Sequence, residues 1–264
     1  MKYTVITTFS SQGYKQYGQR MIETFLANWP ADVVLIVYAE GCVVTQTAPN
    51  LIVRDLDQVD NLTEFKRRWR GVPKANGDVS QDPVRSRRKD AGKGFKWDAV
   101  RFAHKVYSVF DAAQHANSDY LIWMDADMIC HSPITVEQLD RLCDRDLCYL
   151  GRQGKYSECG LYAMNLHSDN VHKFLRKFQD YYDSAETGIF VLAEWHDSFV
   201  FDVVRNAVPV DSRDWSSHLI SGEGHPLINS EWGAYLDHLK GSRKTHGRSH
   251  AKDLIKQRLE SYWQ

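Results

Sequence analysis

The most informative part of the sequence is Asp119-Tyr120-Leu121-Ile122-Trp123-Met124-Asp125-Ala126-Asp127-Met128. Its apolar run is short and bounded, which is typical of a buried strand in a parallel sheet. Side chains at i and i+2 of an extended chain point to the same face, so Asp125 and Asp127 should project together at the carboxyl end of this strand. Ligands of open α/β sheets bind at that edge. Either the two aspartates are simply solvated, or a divalent cation with oxygen ligands lies between them and relieves their repulsion.

Strand and helix patterns alternate around this stretch. Besides the run before Asp125, apolar and β-branched residues predict strands at 3–9, 33–38, 51–53, 147–151 and 160–165. Helical periodicity predicts helices at 13–28, 95–116, 169–183, 194–205 and 251–263, with an irregular segment at 206–234. The alternation predicts an α/β fold with a mostly parallel central sheet flanked by helices.

The chain of 264 residues suits one large domain or two small ones, and we interpret it as a single domain. Residues 1–130 would form a nucleotide-binding half and residues 131–250 an acceptor or sugar half. A polar, glycine-containing stretch at 62–94 is predicted to be a long loop insertion, which in a compact domain is usually a lid, a binding segment or disordered. Residues 251–264 are predicted to form a C-terminal helix.

Composition favours a cytoplasmic globular protein over a secreted or membrane protein. No apolar stretch approaches the ~20 residues that span a bilayer, and the chain enters its first strand at Tyr3 without a signal-like segment. The five cysteines are odd in number and form no C-x-x-C pair, which predicts free thiols in a reducing compartment.

Charge is unevenly distributed although the net charge is only -1. Residues 66–96 contain eleven Lys/Arg against three Asp, a local excess of +8. Phe65, Trp69 and Phe95 are interleaved with these cations, and such a surface suits a polyanion. The alternative is a solvated loop whose charge only aids solubility.

Two common phosphate-binding motifs are absent from the sequence. Gly92-Lys93-Gly94 lacks the spacing and the Ser/Thr of a P-loop, and Gly222-Glu223-Gly224 lacks the third glycine of a dinucleotide fingerprint. An apolar strand with Asp-x-Asp also opens the haloacid dehalogenase-like phosphatases. There the motif normally lies on the first strand and is followed by Thr or Val, whereas here Met128 follows it in mid-chain.

A second motif lies far along the chain, at His238-Leu239-Lys240-Gly241-Ser242-Arg243-Lys244. Two aspartates and one imidazole would leave sites open on a divalent ion for two pyrophosphate oxygens. A nearby Lys ammonium would neutralise the charge that builds on a leaving diphosphate. Taken alone, His238 and Lys244 would be read as surface residues at a helix end.

Together the two motifs resemble the nucleotide-sugar glycosyltransferases of the GT-A fold, in particular the glycogenin and lipopolysaccharide galactosyltransferase family. That family has a hydrophobic strand ending in Asp-x-Asp and a C-terminal His-x-x-Gly-x-x-Lys. Arg101 lies where the family often has a donor-binding arginine, and Glu158-Cys159-Gly160 lies where it has Asn-Ala-Gly. Asp197 lies where it has Asp-Gln, here followed by Ser198.

The resemblance implies a Rossmann-like GT-A domain and a role for each matching residue. Asp125, Asp127 and His238 would bind Mn²⁺ or Mg²⁺, and Asp197 would be the catalytic residue. The implied donor-binding residues are Thr8, Tyr14, Arg101, Asp125, Ala126, Gly241 and Lys244. The implied sugar or acceptor contacts are Glu158, Gly160 and Asp197.

The expected function is transfer of a sugar, hexosyltransferase-like, from a nucleoside diphosphate-sugar to an acceptor hydroxyl, with a UDP-sugar as the foremost donor. The resemblance implies retention of anomeric configuration, and an inverting enzyme with a base near Asp197 is the alternative. A hydroxymethylated DNA base and a phosphorylated glycan are candidate acceptors that would bind through residues 66–96. The rival functions are a dehalogenase-type phosphatase and a non-catalytic nucleotide- or sugar-binding module.

Overall fold

The computed structural model describes residues 1–220 and 224–264. Its main sheet has seven strands in the order β3-β2-β1-β4-β7-β6-β8, and β5 pairs with β9 in a separate two-stranded sheet. The strands are β1 (Tyr3–Ser10), β2 (Val34–Glu40), β3 (Leu51–Asp55), β4 (Tyr120–Met124), β5 (Met128–Cys130), β6 (Leu147–Leu150), β7 (Glu158–Asn165), β8 (Ser212–Asp214) and β9 (Leu236–His238).

Strand β4, which precedes the two aspartates, lies in the middle of the sheet. It runs parallel to β1, with Val5 opposite Ile122, and antiparallel to β7, with Ile122 opposite Ala163. Among the described strands of the main sheet, β1, β2, β3, β4, β6 and β8 run in the same direction and β7 alone runs in the opposite direction. This mostly parallel α/β architecture confirms the expected fold class.

Helices cover both faces of the sheet. They are α1 (Ser11–Gly13), α2 (Gln19–Asn28), α3 (Asp60–Trp69), α4 (Ala99–His115), α5 (Val136–Leu142), α6 (Asp169–Asp183), α7 (Asp197–Ala207), α8 (Pro226–Asn229) and α9 (Arg243–His246). A π-helical turn at Tyr14–Gly18 joins α1 to α2. Short 3-10 turns lie at Leu56–Gln58, Pro73–Asn76, Arg85–Arg87, Gly94–Trp97, Ile189–Val191, Glu231–Ala234, Ala251–Asp253 and Ser261–Trp263.

Alternate side chains of β4 enter two different hydrophobic cores. Leu121 and Trp123 pack with α3, α4, α6 and α7 on one face of the sheet. Tyr120, Ile122 and Met124 pack with α2 and α5 on the other face. All five residues of β4 are buried, as a strand covered on both faces requires.

The small sheet brings the distant C-terminal motif to the aspartates. Met128 of β5 is paired with His238 of β9, so the imidazole is fixed next to the Asp-x-Asp turn. The neighbouring Asp237 is fully buried and accepts hydrogen bonds from Ser249 N (2.7 Å), Ser249 Oγ (2.5 Å) and Tyr262 Oη (2.8 Å). The C-terminal segment therefore holds β9 in place.

The structure corrects three expectations about local structure. The predicted loop at 62–94 begins as helix α3, which buries Leu62 and Phe65, because its apolar residues recur at helical spacing among many charges. The predicted C-terminal helix at 251–264 is instead extended chain with two 3-10 turns. Helix α7 begins at Asp197, after the predicted start at 194. The glycine-containing stretch 222–224 falls partly outside the described residues.

No helix in the part of the chain that the structure describes is long and apolar enough to cross a membrane. The five cysteines, all of them among the described residues, are free thiols as expected.

His131 should make the stability of the protein sensitive to acid. Its ring stacks on Tyr262 (centroids 4.0 Å apart), and burial lowers its pKa to about 4. Because the unfolded pKa is near 6.5, the folded state is at full stability above that pH and loses stability as pH falls towards 4. We expect a loss on the order of 1–2 kcal/mol in urea titrations across this range, after discounting for solvent screening at a half-buried site. In His131→Phe this part of the pH dependence should disappear; an unchanged dependence would contradict the assignment.

Candidate active site

Asp125 and Asp127 lie where the sequence places them, in the turn after β4. Asp125 N donates to Gly160 O of the neighbouring strand (2.8 Å), and Met128 N donates to Asp125 O (3.1 Å), which fixes the turn. His238 Nε2 lies 3.1 Å from Asp127 Oδ1 and 3.6 Å from Asp125 Oδ2. The structure thus brings together the three predicted metal ligands.

The donor set of this cluster suits a divalent cation. One ligand atom from each of Asp125, Asp127 and His238 lies within 4.8 Å of the others, and the set combines two carboxylates with one imidazole. Burial would raise the pKa of Asp127, but His238 and the Lys244 ammonium, 3.0 Å from Asp127 Oδ2, outweigh burial and hold this pKa well below its usual range. The ionised form of Asp127, which is the form that binds a cation, is therefore favoured.

The other ring nitrogen of His238 faces a second buried group. His238 Nδ1 is buried, makes no hydrogen bond within the described residues, and lies 3.9 Å from Glu158 Oε1. Glu158 is paired with Lys240, and its other oxygen lies 3.5 Å from Arg152. The ring of His225 packs edge-on against His238, 5.2 Å away. Glu158 is thus the nearest carboxylate behind the imidazole, but at 3.9 Å it does not form the hydrogen bond by which carboxylates commonly orient metal-bound histidines.

Lys105 links the aspartates to Asp197, and sequence reasoning missed it. Its Nζ lies 2.7 Å from Asp197 Oδ2 and 3.3 Å from Asp125 Oδ1, and it donates to Cys159 O. The ammonium also lies 4.8 Å from the centre of the Trp123 ring. Burial opposes the charge, but the two carboxylates outweigh it and raise the pKa of Lys105 well above its usual value. Lys105 lies one helical turn after Arg101 on α4, and no local sequence pattern distinguishes it from an ordinary helix residue.

A cleft of about 1420 Å³ opens over this cluster. The predicted residues that line it are Thr8, Arg101, Asp125, Ala126, Asp127, Glu158, Gly160, Asp197, Gly241 and Lys244. Its walls thus come from the carboxyl ends of β1 and β4, from α4 and α7, and from the C-terminal motif.

Tyr14, one of the implied donor-binding residues, is not brought to the cleft. Its side chain is buried against Phe9 (centroids 5.4 Å apart), and its hydroxyl lies 2.7 Å from Gln46 Oε1. Tyr17 lines the cleft instead, with Lys244 Nζ 4.5 Å from the centre of its ring. The π-helical turn adds a residue to this part of the helix and changes which tyrosine faces the cleft.

Gly160 leaves room for the imidazole of His238. A Cβ at this position would lie 2.5 Å from Cε1 and 2.9 Å from Nδ1 of the buried ring. We expect Gly160→Ala to displace the ring and to weaken Mn²⁺ binding about tenfold or more, as loss of outer-shell support typically does. Isothermal titration calorimetry measures this, and Gly92→Ala is the matched control because a Cβ there meets nothing within 4 Å. Equal affinity of Gly160→Ala and wild type would show that the ring is not held at this position.

No protein-family model and no curated protein matches the sequence. Among solved structures, an active-site mutant of LgtC has a similar fold, with a TM-score of 0.51 and 11% identity over 90% of this chain and 87% of that chain. The glycosyltransferase GlyE of Streptococcus pneumoniae TIGR4 gives a TM-score of 0.47 at 11% identity, over 81% of this chain, which spans only 45% of that chain. Mouse xyloside xylosyltransferase 1 gives 0.46 at 12% identity, over 81% and 85% of the two chains. The likeness to LgtC confirms the expected GT-A fold.

Proposed function

We propose that this protein is a metal-dependent glycosyltransferase that moves a sugar from a nucleoside diphosphate-sugar, foremost a UDP-sugar, to an acceptor hydroxyl. The observation that carries the proposal is the Asp125–Asp127–His238 cluster: its two aspartates line a large cleft at the carboxyl ends of the parallel strands, and the buried His238 lies directly behind them. The GT-A fold supports it, because the cleft of that fold is the expected site of a nucleotide-sugar.

Each charged group of the cleft has a role in this proposal. Asp125, Asp127 and His238 hold Mn²⁺ or Mg²⁺, which when bound neutralises charge on the donor diphosphate. Lys244 pairs with Asp127 in this structure, so it lies within reach of donor phosphates that bind to a metal ion held by Asp127. Arg101 is exposed at the wall of the cleft and contacts the donor from that side.

Asp197 contacts the transferred sugar or the acceptor hydroxyl. Its ion pair with Lys105 (2.7 Å) holds the carboxylate in one orientation near Asp125. A carboxylate held by an ammonium suits hydrogen bonding to a sugar hydroxyl better than proton abstraction, which favours the retaining reaction over the inverting alternative.

The phosphatase alternative fits the geometry less well. A dehalogenase-type nucleophile would be the first aspartate, Asp125. Its Oδ1 is already bonded to Trp123 Nε1 (2.7 Å) and close to Lys105 Nζ (3.3 Å). The motif follows β4, not the first strand.

Only part of the basic segment 66–96 is available to a polyanionic acceptor. Six of its cations form ion pairs, among them Arg85 with Asp82 and Arg88 with Asp90. The others make no ion pair within the described residues: they are Arg70, Lys74, Arg87, Lys89 and Lys93. DNA or a phosphorylated glycan would therefore be bound by these free cations, and Arg85 and Arg88 serve the fold.

We also propose that the C-terminal motif closes over the bound donor. His238 is fixed in β9, so closure would involve the segment that follows it. We expect residues 240–248, including Gly241 and the partly exposed Lys244, to exchange amide hydrogens more slowly when UDP and Mn²⁺ are bound, as a closing lid does. Unchanged exchange in this segment would rule out closure.

A thermal-shift screen tests the proposed function. Nucleoside diphosphate-sugars are added one at a time, with Mn²⁺ or with EDTA. We expect stabilisation by at least one donor only when Mn²⁺ is present, because ligands that bind the folded state raise its stability. Stabilisation by a generic aryl phosphate but by no nucleotide would favour the phosphatase. A donor that binds and is never consumed would favour the non-catalytic module.

A further inference from the structure

We propose that the end of the cleft next to Asp197 is a stacking subsite for one nucleotide unit of a nucleic acid acceptor. The proposal rests on the proposed glycosyltransferase function, because it assigns the acceptor in the same cleft. Four aromatic side chains meet there around the ring of His196. They are Phe95, Phe102, Tyr156 and Phe199.

The four side chains come from separate parts of the chain and converge on one place. The ring centres of Phe95, Phe102 and Tyr156 lie 6.1, 6.0 and 5.3 Å from that of His196. Tyr156 and Phe199 also contact each other edge-on at 5.1 Å. All four line the cleft, and Phe95 is 48% exposed. An aromatic surface left open to water in a cleft indicates a ligand that covers it.

His196, at the centre of this aromatic group, is held in place by hydrogen bonds. His196 Nε2 lies 2.9 Å from Glu194 Oε2, and His196 Nδ1 accepts a hydrogen bond from Phe199 N (3.3 Å). Glu194 is buried and pairs with Lys96 (2.7 Å), the residue after Phe95. A ligand that stacks here therefore meets a preorganised surface, which reduces the entropy lost on binding.

Cations lie close to the aromatic group along the chain. Lys155 lines the cleft beside Tyr156 and makes no ion pair within the described residues. The free cations Arg87, Lys89 and Lys93 precede Phe95 in the insertion. Exposed aromatic faces combined with unpaired cations are the pattern that binds single-stranded nucleic acids, where bases stack and phosphates pair with the cations.

A nucleic acid explains both features, whereas a phosphorylated glycan needs chiefly the cations. The position of the aromatic group relative to Asp197 also fits a nucleic acid acceptor. Asp197 directly follows His196 and lines the same cleft as the four aromatic residues, so a base stacked there would share the cleft with the proposed catalytic carboxylate.

The test is the binding of a short fluorescein-labelled single-stranded DNA, measured by fluorescence anisotropy with UDP and Mn²⁺ present. We expect wild type to bind, and Phe95→Ala and Tyr156→Ala each to bind about tenfold more weakly, the usual effect of losing one stacking partner. Val84→Ala is the matched control, because Val84 is an exposed apolar residue of the same insertion that does not line the cleft. Phe95 is half exposed, so its removal tests stacking without opening the core.

Heparin, a polyanion without bases, separates stacking from charge. The proposal requires that Phe95→Ala and Tyr156→Ala bind heparin as wild type does. The proposal would be overturned if the two substitutions weakened the binding of DNA and of heparin equally. It would also be overturned if neither substitution weakened DNA binding. Tight binding of a phosphorylated oligosaccharide by a protein that does not bind DNA would overturn it as well. Stabilisation of wild type by UDP with Mn²⁺ is measured separately, so a failure of the acceptor proposal is distinguishable from a failure of the proposed function.

Discussion

Asp127→Asn should abolish metal-dependent donor binding while the fold survives. The side chain supplies one oxygen near His238 and one near Lys244, and the amide of Asn has no negative charge to pair with Lys244 or with a cation. Loss of an outer-shell partner already costs about 10–100-fold in metal affinity, so loss of a ligand should cost more than ~100-fold. Isothermal titration with Mn²⁺, alone and with UDP, measures this directly.

The fold should tolerate the change because Asp127 lies in a turn outside the hydrophobic cores. Removing one of two neighbouring carboxylates also reduces their repulsion. Asp32→Asn, at an exposed position outside the cleft, is the matched control and should bind Mn²⁺ as wild type does. If Asp127→Asn retains wild-type Mn²⁺ affinity, the metal site is elsewhere.

Lys105→Met should destabilise the protein more than any other single change at the site. The substitution keeps the length of the side chain but leaves the carboxylates of Asp125 and Asp197 without their shared ammonium. Breaking a buried ion pair by removing one partner costs about 3–5 kcal/mol, because the remaining charge stays buried. Urea denaturation followed by circular dichroism should show this loss in the free energy of unfolding.

A double mutant identifies the cause of that loss. Asp197→Asn removes one of the two uncompensated charges, so Lys105→Met/Asp197→Asn should recover part of the stability lost in Lys105→Met. If the two effects simply add, Lys105 stabilises the protein through packing against Trp123 and not through the charge of Asp197.

The sequence predicted the centre of the fold because local pattern and tertiary environment agree there. The residues of β4 are apolar on both faces, and the structure covers both faces. The link between His238 and Asp127 was also predictable, but only from a motif, since the two residues are 111 positions apart in the chain.

The features that were missed depend on packing that no local pattern contains. Lys105 is an ordinary helix residue until α4 packs beside β4 and α7. Tyr14 and Tyr17 exchange places because a π-helical turn shifts the helix. Helix α3 was missed because its many charges obscure a narrow apolar stripe at Leu62 and Phe65.

In the proposed function, Asp125, Asp127 and His238 hold the metal ion on which glycosyl transfer depends. The most direct test is the release of nucleoside diphosphate from the donor that stabilises the protein in the thermal-shift screen, followed without acceptor. We expect slow donor hydrolysis by wild type with Mn²⁺, and none with excess EDTA or in Asp127→Asn. Donor turnover that persists in EDTA, or release of phosphate from an aryl phosphate in place of donor turnover, would contradict the claim.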